Sequence, residues 1–206
     1  MGGLAASEGR TRAVAIGGSA GAMAALLPIL DRLPGTFRPP VIVVTHLHKT
    51  DGGRFAEHLA RRARLPVVEA TDKLALAPRR VHVAPADYHL LVERAGTLAL
   101  SIDPRVNWSR PSIDVLLESA ARAFGPGLVA VILSGANADG ARGLGRVRQL
   151  GGRCVVQDPA TASAPEMPRA AIASAGVEEV LAPDAIGAAL AALDPGAAEK
   201  REEVAG

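Results

Sequence analysis

Three runs of small and branched apolar residues constrain the fold of this chain more than any other feature. They occupy residues 13–16, 41–44 and 128–133. Runs that are apolar at every position are typical of strands buried on both faces, and such strands occur in parallel sheets that helices cover on each side. We therefore predict an α/β fold, with a doubly wound, mostly parallel sheet and helices on both faces.

The pattern changes between the second and third of these runs. Segments 81–84, 89–92 and 97–100 alternate between apolar and polar residues, and turn residues separate them at 85–87 and 94–96. Alternation of this kind is typical of antiparallel strands. We expect an antiparallel meander to be inserted into the α/β chain.

The remaining elements alternate along the chain and fit one domain. Later strands are predicted at 153–157 and 179–181. We predict one domain over residues 10–194 and a flexible tail over residues 195–206, because the end of the chain is charged and contains glycine. Helices are predicted from their caps and apolar spacing at 22–30, 54–61, 111–124, 140–150, 167–172 and 183–193.

A serine bounded by glycines stands between the first predicted strand and the first predicted helix. Ser19 is the centre of the sequence Gly17-Gly18-Ser19-Ala20-Gly21. A serine in a G-x-S-x-G turn projects its hydroxyl from the end of a sheet, which is the geometry of a nucleophile elbow. Ser19 is therefore a candidate for covalent catalysis.

Two further polar residues follow the other apolar runs. His46 comes after the second run and Asp139 lies in the turn after the third. The carboxyl ends of parallel strands meet at one edge of a sheet, so Ser19, His46 and Asp139 are expected at the same edge. Serine, histidine and aspartate are the nucleophile, base and orienting acid of a catalytic triad.

Each of these roles has an alternative. His48 is a rival base, because a strand's period of two can point it the same way as His46. Asp139 precedes Gly140 and can instead cap the following helix. The glycine-rich turn at 17–22 can bind a phosphate, although it lacks the dinucleotide fingerprint and the P-loop lysine.

The remaining histidines and the oxyanion hole are assigned by position. His58 is expected on a helix surface, and His82 and His89 on the surface of the inserted sheet. Backbone N–H groups are expected to form the oxyanion hole, with Ala20 and Ala136 as the candidates.

Composition excludes several classes of function. The net charge is only +2 and aromatic residues make up 2% of the chain, so nucleic-acid binding is not expected. One cysteine supports neither a disulfide framework nor a cysteine-rich metal site, and we expect no metal and no cofactor. We find no signal peptide and no apolar stretch long enough to span a membrane, which predicts a cytoplasmic protein without membrane insertion.

Several ordered motifs resemble the catalytic domain of the CheB-type chemotaxis protein-glutamate methylesterases. The family is similar at residues 15–21, 44–47, 83–89, 107–114, 132–140, 157–159 and 167–169. The resemblance implies a Ser-His-Asp hydrolase that acts on γ-glutamyl methyl esters of chemoreceptor helices and in some members deamidates glutamine. It places the triad on Ser19, His46 and Asp139, and it implies methylated chemoreceptor-like helices as partners.

The chain also departs from this family pattern. Family members often carry threonine and glycine at the positions of Ala20 and Ala22, and methionine at the position of Ala136. About a dozen residues precede the first predicted strand, so we expect no N-terminal receiver domain. The alternative to a methylesterase is a catalytically weak or inactive interaction module of the same fold that binds a helical, acidic partner.

Overall fold

The structure, a computed structural model, describes residues 12–177 and 179–194. The predicted tail at 195–206 lies outside the described residues. The strands are β1 (Ala13–Gly18), β2 (Val41–Thr45), β3 (Val67–Glu69), β4 (Val81–Val83), β5 (His89–Val92), β6 (Leu98–Ser101), β7 (Leu128–Ile132), β8 (Arg153–Gln157) and β9 (Val180–Leu181). The helices are α1 (Ala22–Arg32), α2 (Arg54–Ala60), α3 (Ile113–Phe124), α4 (Ala141–Gln149), α5 (Glu166–Ala175) and α6 (Pro183–Ala191).

Seven of these strands form one parallel sheet in the order β3-β4-β2-β1-β7-β8-β9. After β1 the chain builds outward through β2 on one side, and it later returns to β7 on the other side. This change of direction makes β1 and β7 the switch point of a doubly wound sheet, where ligands of such folds bind. The predicted doubly wound α/β architecture is confirmed.

Helices cover both faces of the sheet, as continuous apolar strands require. Val14 and Ile16 of β1 pack in one hydrophobic cluster with residues of α1, α2 and α6. Ala13 and Ala15 point the other way and pack with residues of α3, α4 and α5. Because both faces of β1 are buried, the strand carries no polar side chain from Ala13 to Gly18.

The inserted antiparallel element is smaller than expected. Strands β5 and β6 form a two-stranded antiparallel sheet, which confirms the insertion. Segment 81–83, however, is β4 and pairs in parallel with β2 and β3, so its assignment to the meander is wrong. The alternation of apolar and polar residues in this segment suggested an exposed antiparallel strand. His82, the polar residue of the pattern, is in fact buried together with both valines. Strand β3 was not predicted.

Two histidines expected on a sheet surface are buried. His82 is 0% exposed and its Nε2 accepts a hydrogen bond from the Ala77 N–H. His89 is 1% exposed, and its Nδ1 accepts from the Ser112 N–H while Nε2 donates to the Pro104 carbonyl. Both ring nitrogens of His89 are thus paired, whereas Nδ1 of His82 has no hydrogen-bond partner among the described residues.

No helix within residues 12–177 and 179–194 is long and apolar enough to cross a membrane.

His58 is exposed on α2, as predicted.

Candidate active site

The register of the central strands brings the ends of β1, β2 and β7 together. Gly18 pairs with Thr45, so Ser19 and His46 each follow one residue of the same pair. Gly17 pairs with Ile132, which places the turn that carries Asp139 on the other side of β1. The sheet thus directs all three predicted residues to its carboxyl edge.

The turn around Ser19 is pinned to the turn that follows β7. The Ser19 N–H donates to the Ser134 carbonyl at 2.8 Å, and Ser134 Oγ donates to the Ala20 carbonyl at 2.7 Å. Gly21 has a φ of 75° and begins α1. A residue with a Cβ would be strained in this left-handed conformation, so glycine is needed for the strand to turn into the helix here.

Gly17 is required for a different reason, which is close packing. A Cβ at this position would lie 2.2 Å from Cγ2 of Ile113, a fully buried residue at the start of α3. The absent side chain therefore lets α3 pack directly against the end of β1. As described below, the same helix start holds Asp139.

His46 and Asp139 form a direct pair. Their Nε2 and Oδ2 atoms lie 2.8 Å apart, and the exposed fractions of the two side chains are 15% and 0%. Because the carboxylate accepts, His46 donates its Nε2–H and keeps Nδ1 as an acceptor in the neutral imidazole. The pair therefore has the hydrogen-bond contact that is expected between the base and the orienting acid of a triad.

The carboxylate of Asp139 is fully buried, but it accepts five hydrogen bonds from protein groups. Burial raises its pKa, but the hydrogen bonds that it accepts outweigh this effect and hold the pKa below the ordinary value of an aspartate. It stays ionised beside His46. The donors are His46 Nε2, Asn107 Nδ2, Ser112 Oγ and the backbone N–H groups of Ile113 and Asp114.

Asp139 is a helix cap, but not of the helix that follows it. Its carboxylate accepts from the N–H groups that open α3, whereas α4 begins after Gly140 without a side-chain cap. The positive end of α3 therefore favours the charged form of Asp139. The predicted helix at 111–124 is confirmed, with Ser112 at its N-cap position.

Asn107 connects two acidic side chains at this site. Its Nδ2 donates to Asp139 Oδ1 and to Asp114 Oδ2, each at 2.9 Å. Burial raises the pKa of Asp114, and the nearby Asp139 adds to this, although the Gly143 N–H opposes it. The amide of Asn107 separates the two carboxyl groups and reduces their repulsion.

Ser109 occupies the free nitrogen of His46. Its Oγ lies 3.3 Å from His46 Nδ1, whereas no hydrogen bond joins Ser19 and His46 within the described residues. The structure thus unites His46 with Asp139 directly, and places Ser19 at the neighbouring strand end without a bond to the base. The sequence predicted no catalytic role for Asn107, Ser109 or Ser112; the only signal for them was the motif at 107–114.

The two candidate oxyanion donors are accessible. Ala20 and Ala136 are exposed, and within the described part of the chain neither of their backbone N–H groups has a hydrogen-bond acceptor. Ala136 belongs to the turn after β7 that is tied to the Ser19 turn. Free backbone N–H groups beside a nucleophile can stabilise an oxyanion.

The rival base lies outside this network. His48 is exposed and its Nδ1 is 2.8 Å from Oγ1 of Thr50, so it contacts its own loop rather than Asp139. Across residues 12–177 and 179–194, no cluster of three or more His, Cys, Asp and Glu side chains is arranged to hold a metal ion.

An open groove of about 510 Å³ leads to His46. One wall is the segment 46–49, and the other comprises Asp87, Arg105 and the segment 108–110. We call this cavity the basic groove, because three of its side chains are lysine or arginine.

Comparison with known proteins gives one family. The family model described as CheB methylesterase matches residues 14–190. A Leptospira interrogans (serovar copenhageni) protein, assigned as a protein-glutamate methylesterase/protein-glutamine glutaminase, is 42% identical over 92% of this chain and 98% of its own length. The protein-glutamate methylesterase FrzG of Myxococcus xanthus is 40% identical over 86% of this chain and 53% of its own.

A solved structure agrees with the sequence relatives. The crystal structure of the Thermotoga maritima CheB methylesterase catalytic domain superimposes with a TM-score of 0.84 at 31% identity, and covers 88% of this chain and 98% of that one. The sequence and fold lead to the same conclusion: this chain belongs to the CheB methylesterase family.

Proposed function

We propose that the protein hydrolyses γ-glutamyl methyl esters of proteins and releases methanol, with Ser19 as nucleophile, His46 as base and Asp139 as orienting acid. The observation that carries this proposal is the 2.8 Å pair of His46 and Asp139, next to the strand end that bears Ser19. The catalytic domain is proposed to span residues 10–194.

In the first half of the reaction, Ser19 Oγ attacks the ester carbonyl while His46 takes the hydroxyl proton at Nδ1. The negative charge that develops on the carbonyl oxygen is stabilised by the free N–H groups of Ala20 and Ala136. His46 then returns the proton to the methoxy oxygen, methanol leaves, and a glutamyl ester of Ser19 remains.

In the second half, water attacks the same carbonyl and gives a proton to His46. The bond to Ser19 Oγ breaks, His46 protonates this oxygen, and a glutamate side chain is released. The ionised Asp139 stabilises the imidazolium in both halves, because the hydrogen bonds that it accepts hold its pKa low.

The hydroxyl of Ser109 contacts the nitrogen that the mechanism needs. Its bond to His46 Nδ1 is 3.3 Å long, which is longer than the usual O–H to N contact and can be exchanged for one to Ser19. Ser109 is therefore proposed to be a resting partner of the base that Ser19 replaces when substrate binds.

The same acyl-enzyme route accepts a glutamine amide, with ammonia leaving in place of methanol. The name of the Leptospira relative includes a protein-glutamine glutaminase activity, which supports this second reaction. Because family members serve chemotaxis-like signalling, we propose that the substrate is a chemoreceptor-like helix and that the protein acts in the cytoplasm.

Mass spectrometry of a methylated receptor tests the reaction. Wild-type protein is expected to convert glutamyl methyl esters to glutamates, and Ser19→Ala is expected to leave them intact. Ser174→Ala, at an exposed position of α5, is the matched control and should act as wild type. Methanol release by the Ser19 variant, or no labelling of Ser19 by a serine-reactive probe, would contradict the mechanism.

A further inference from the structure

The large apolar side chains that are exposed all come from one segment of the chain, which also contributes to the groove beside His46. Within the described residues they are Tyr88 at 42%, Ile102 at 72% and Trp108 at 93%. All three belong to the segment between β4 and α3, and Arg110 ties this segment together by bonding Asp87 and the Ile102 carbonyl. Trp108 is the most exposed of the three and the one that lines the basic groove, so it is available as an aromatic anchor for a bound molecule.

Trp108 is displayed by a turn that the catalytic residues hold in place. Asn107 and Trp108 have φ values of 50° and 64°, and Val106 and Ser109 exchange backbone hydrogen bonds across them. Two consecutive left-handed residues other than glycine are costly, and persist where surrounding contacts fix them. Here the bonds of Asn107 to Asp114 and Asp139 supply those contacts.

The groove between Trp108 and His46 has an excess of positive charge. Its fixed charges are Lys49, Arg105 and Arg110 against the single carboxylate of Asp87, a net of two positive charges. Both arginines share Asp87, at 3.4 and 2.9 Å, and Lys49 forms no ion pair within the part of the chain that the structure describes. The groove can therefore accept negative charge from a bound molecule.

We propose that the basic groove binds a carboxylate-rich protein segment that flanks the scissile glutamyl side chain, with Trp108 packed against an apolar residue of that segment. This inference rests on the proposed function, because it assigns the bound segment as part of the substrate. His46 lines the same groove, so a segment held by Lys49 and Arg105 lies next to the reacting carbonyl.

An acidic protein segment fits this surface better than a nucleic acid does. The net charge of the chain is only +2, only 2% of its residues are aromatic and Trp108 is its only tryptophan, so it is poorly supplied with the basic track and the aromatic side chains on which successive bases stack. A few positive charges around one aromatic anchor instead match the size of a peptide epitope.

The uniqueness of Trp108 gives a direct binding assay. Ser19→Ala protein is titrated with a tryptophan-free peptide that carries one glutamyl γ-methyl ester, one leucine and flanking glutamates. A matched peptide has serines in place of those glutamates. The acidic peptide is expected to change the fluorescence of Trp108 and to bind about tenfold more tightly.

Variants then locate the binding surface. Lys49→Glu and Arg105→Glu, in the Ser19→Ala background, are each expected to weaken the acidic peptide by about threefold or more. Arg94→Glu changes the charge equally at an exposed turn outside the groove and should have no effect. Trp108→Ala, followed with a labelled peptide by anisotropy, is expected to cost about tenfold in Kd.

Equal binding of the two peptides, or equal effects of Lys49→Glu and Arg94→Glu, would overturn the inference. So would tighter binding of a single-stranded oligonucleotide than of the acidic peptide. Turnover by wild-type protein distinguishes failure of this inference from failure of the proposed reaction. Cleavage of both peptides with equal kcat/KM would refute binding of the acidic segment by the basic groove, but it would support the esterase activity. Binding without methanol release refutes the esterase, and with it the assignment of the segment as substrate.

Discussion

Ser109 Oγ lies 3.3 Å from His46 Nδ1, on the nitrogen that remains after Asp139 has engaged Nε2. Two serines are therefore candidates for the hydroxyl that this base activates. Ser19 has the strand-end turn and the neighbouring free N–H groups, whereas Ser109 has the direct contact in the structure.

Substitution of the two serines distinguishes them. Ser19→Ala should lower kcat by a factor on the order of 10⁶, because the nucleophile is lost. Ser109→Ala should leave kcat within about tenfold of wild type, because the bond of His46 to Asp139 remains. Methanol release and labelling by a serine-reactive probe are the measurements, and the reverse order of effects would make Ser109 the nucleophile.

Asp139→Asn tests the orienting role of the carboxylate. The amide is the same size but removes the charge, and it can turn an N–H toward Nε2, which would leave His46 in the wrong tautomer. We expect kcat to fall by about 10⁴ while KM changes little. The variant must first be shown to fold by circular dichroism, because Asp139 also accepts from the N–H groups that open α3. A folded variant with unchanged kcat would exclude the role.

Gly17→Ala tests the close packing of α3 against β1. The added methyl would meet Cγ2 of Ile113 at 2.2 Å, so we expect a loss of about 1–3 kcal/mol in the free energy of unfolding and a lower kcat through displaced Asp139. Ile113→Ala removes the clashing atoms. The double variant should therefore be more stable than the sum of the two single changes predicts; strict additivity in urea unfolding would show that the contact does not matter.

His82 predicts a pH dependence of stability. Burial lowers its pKa; the Ala77 carbonyl, 3.4 Å from Nε2, opposes this effect, and the positive charge of Arg80 adds to it. The unfolded chain therefore binds a proton at higher pH than the folded one. Above the unfolded pKa of about 6.5, His82 is neutral in both states and its titration does not reduce the free energy of unfolding. As the pH falls below this value, the unfolded chain takes up the proton first, and the free energy of unfolding falls by at most about 1.4 kcal/mol per pH unit.

His82→Gln removes this titration. The variant is expected to be less stable at pH 7.5, but its free energy of unfolding should fall less than that of wild type between pH 7.5 and 5.5. His58→Gln, at an exposed position of α2, is the control and should keep the wild-type slope. Parallel curves for wild type and His82→Gln would refute the prediction.

Much of the architecture could be predicted because the signals are local. The runs at β1, β2 and β7 are apolar at every position, and only strands buried on both faces require that. The same reasoning placed Ser19, His46 and Asp139 at one edge, since parallel strands end together.

Strand β4 and its buried histidine show where local pattern fails. Val81, His82 and Val83 alternate as an exposed antiparallel strand would, yet all three are buried in the parallel sheet. The Ala77 N–H that donates to His82 Nε2 comes from the loop before the strand, and only the folded backbone shows that this donor is available.

The sequence by itself determined the three central strands, the edge at which they end and the residue types that reach this edge, because each depends on a few neighbouring residues. Only the tertiary structure decided that Asp139 caps α3 rather than α4, that Asn107 bridges it to Asp114, and that Ser109 contacts His46. Most of these contacts join residues that are 26 to 63 positions apart in the chain, so they form only when the fold brings those segments together.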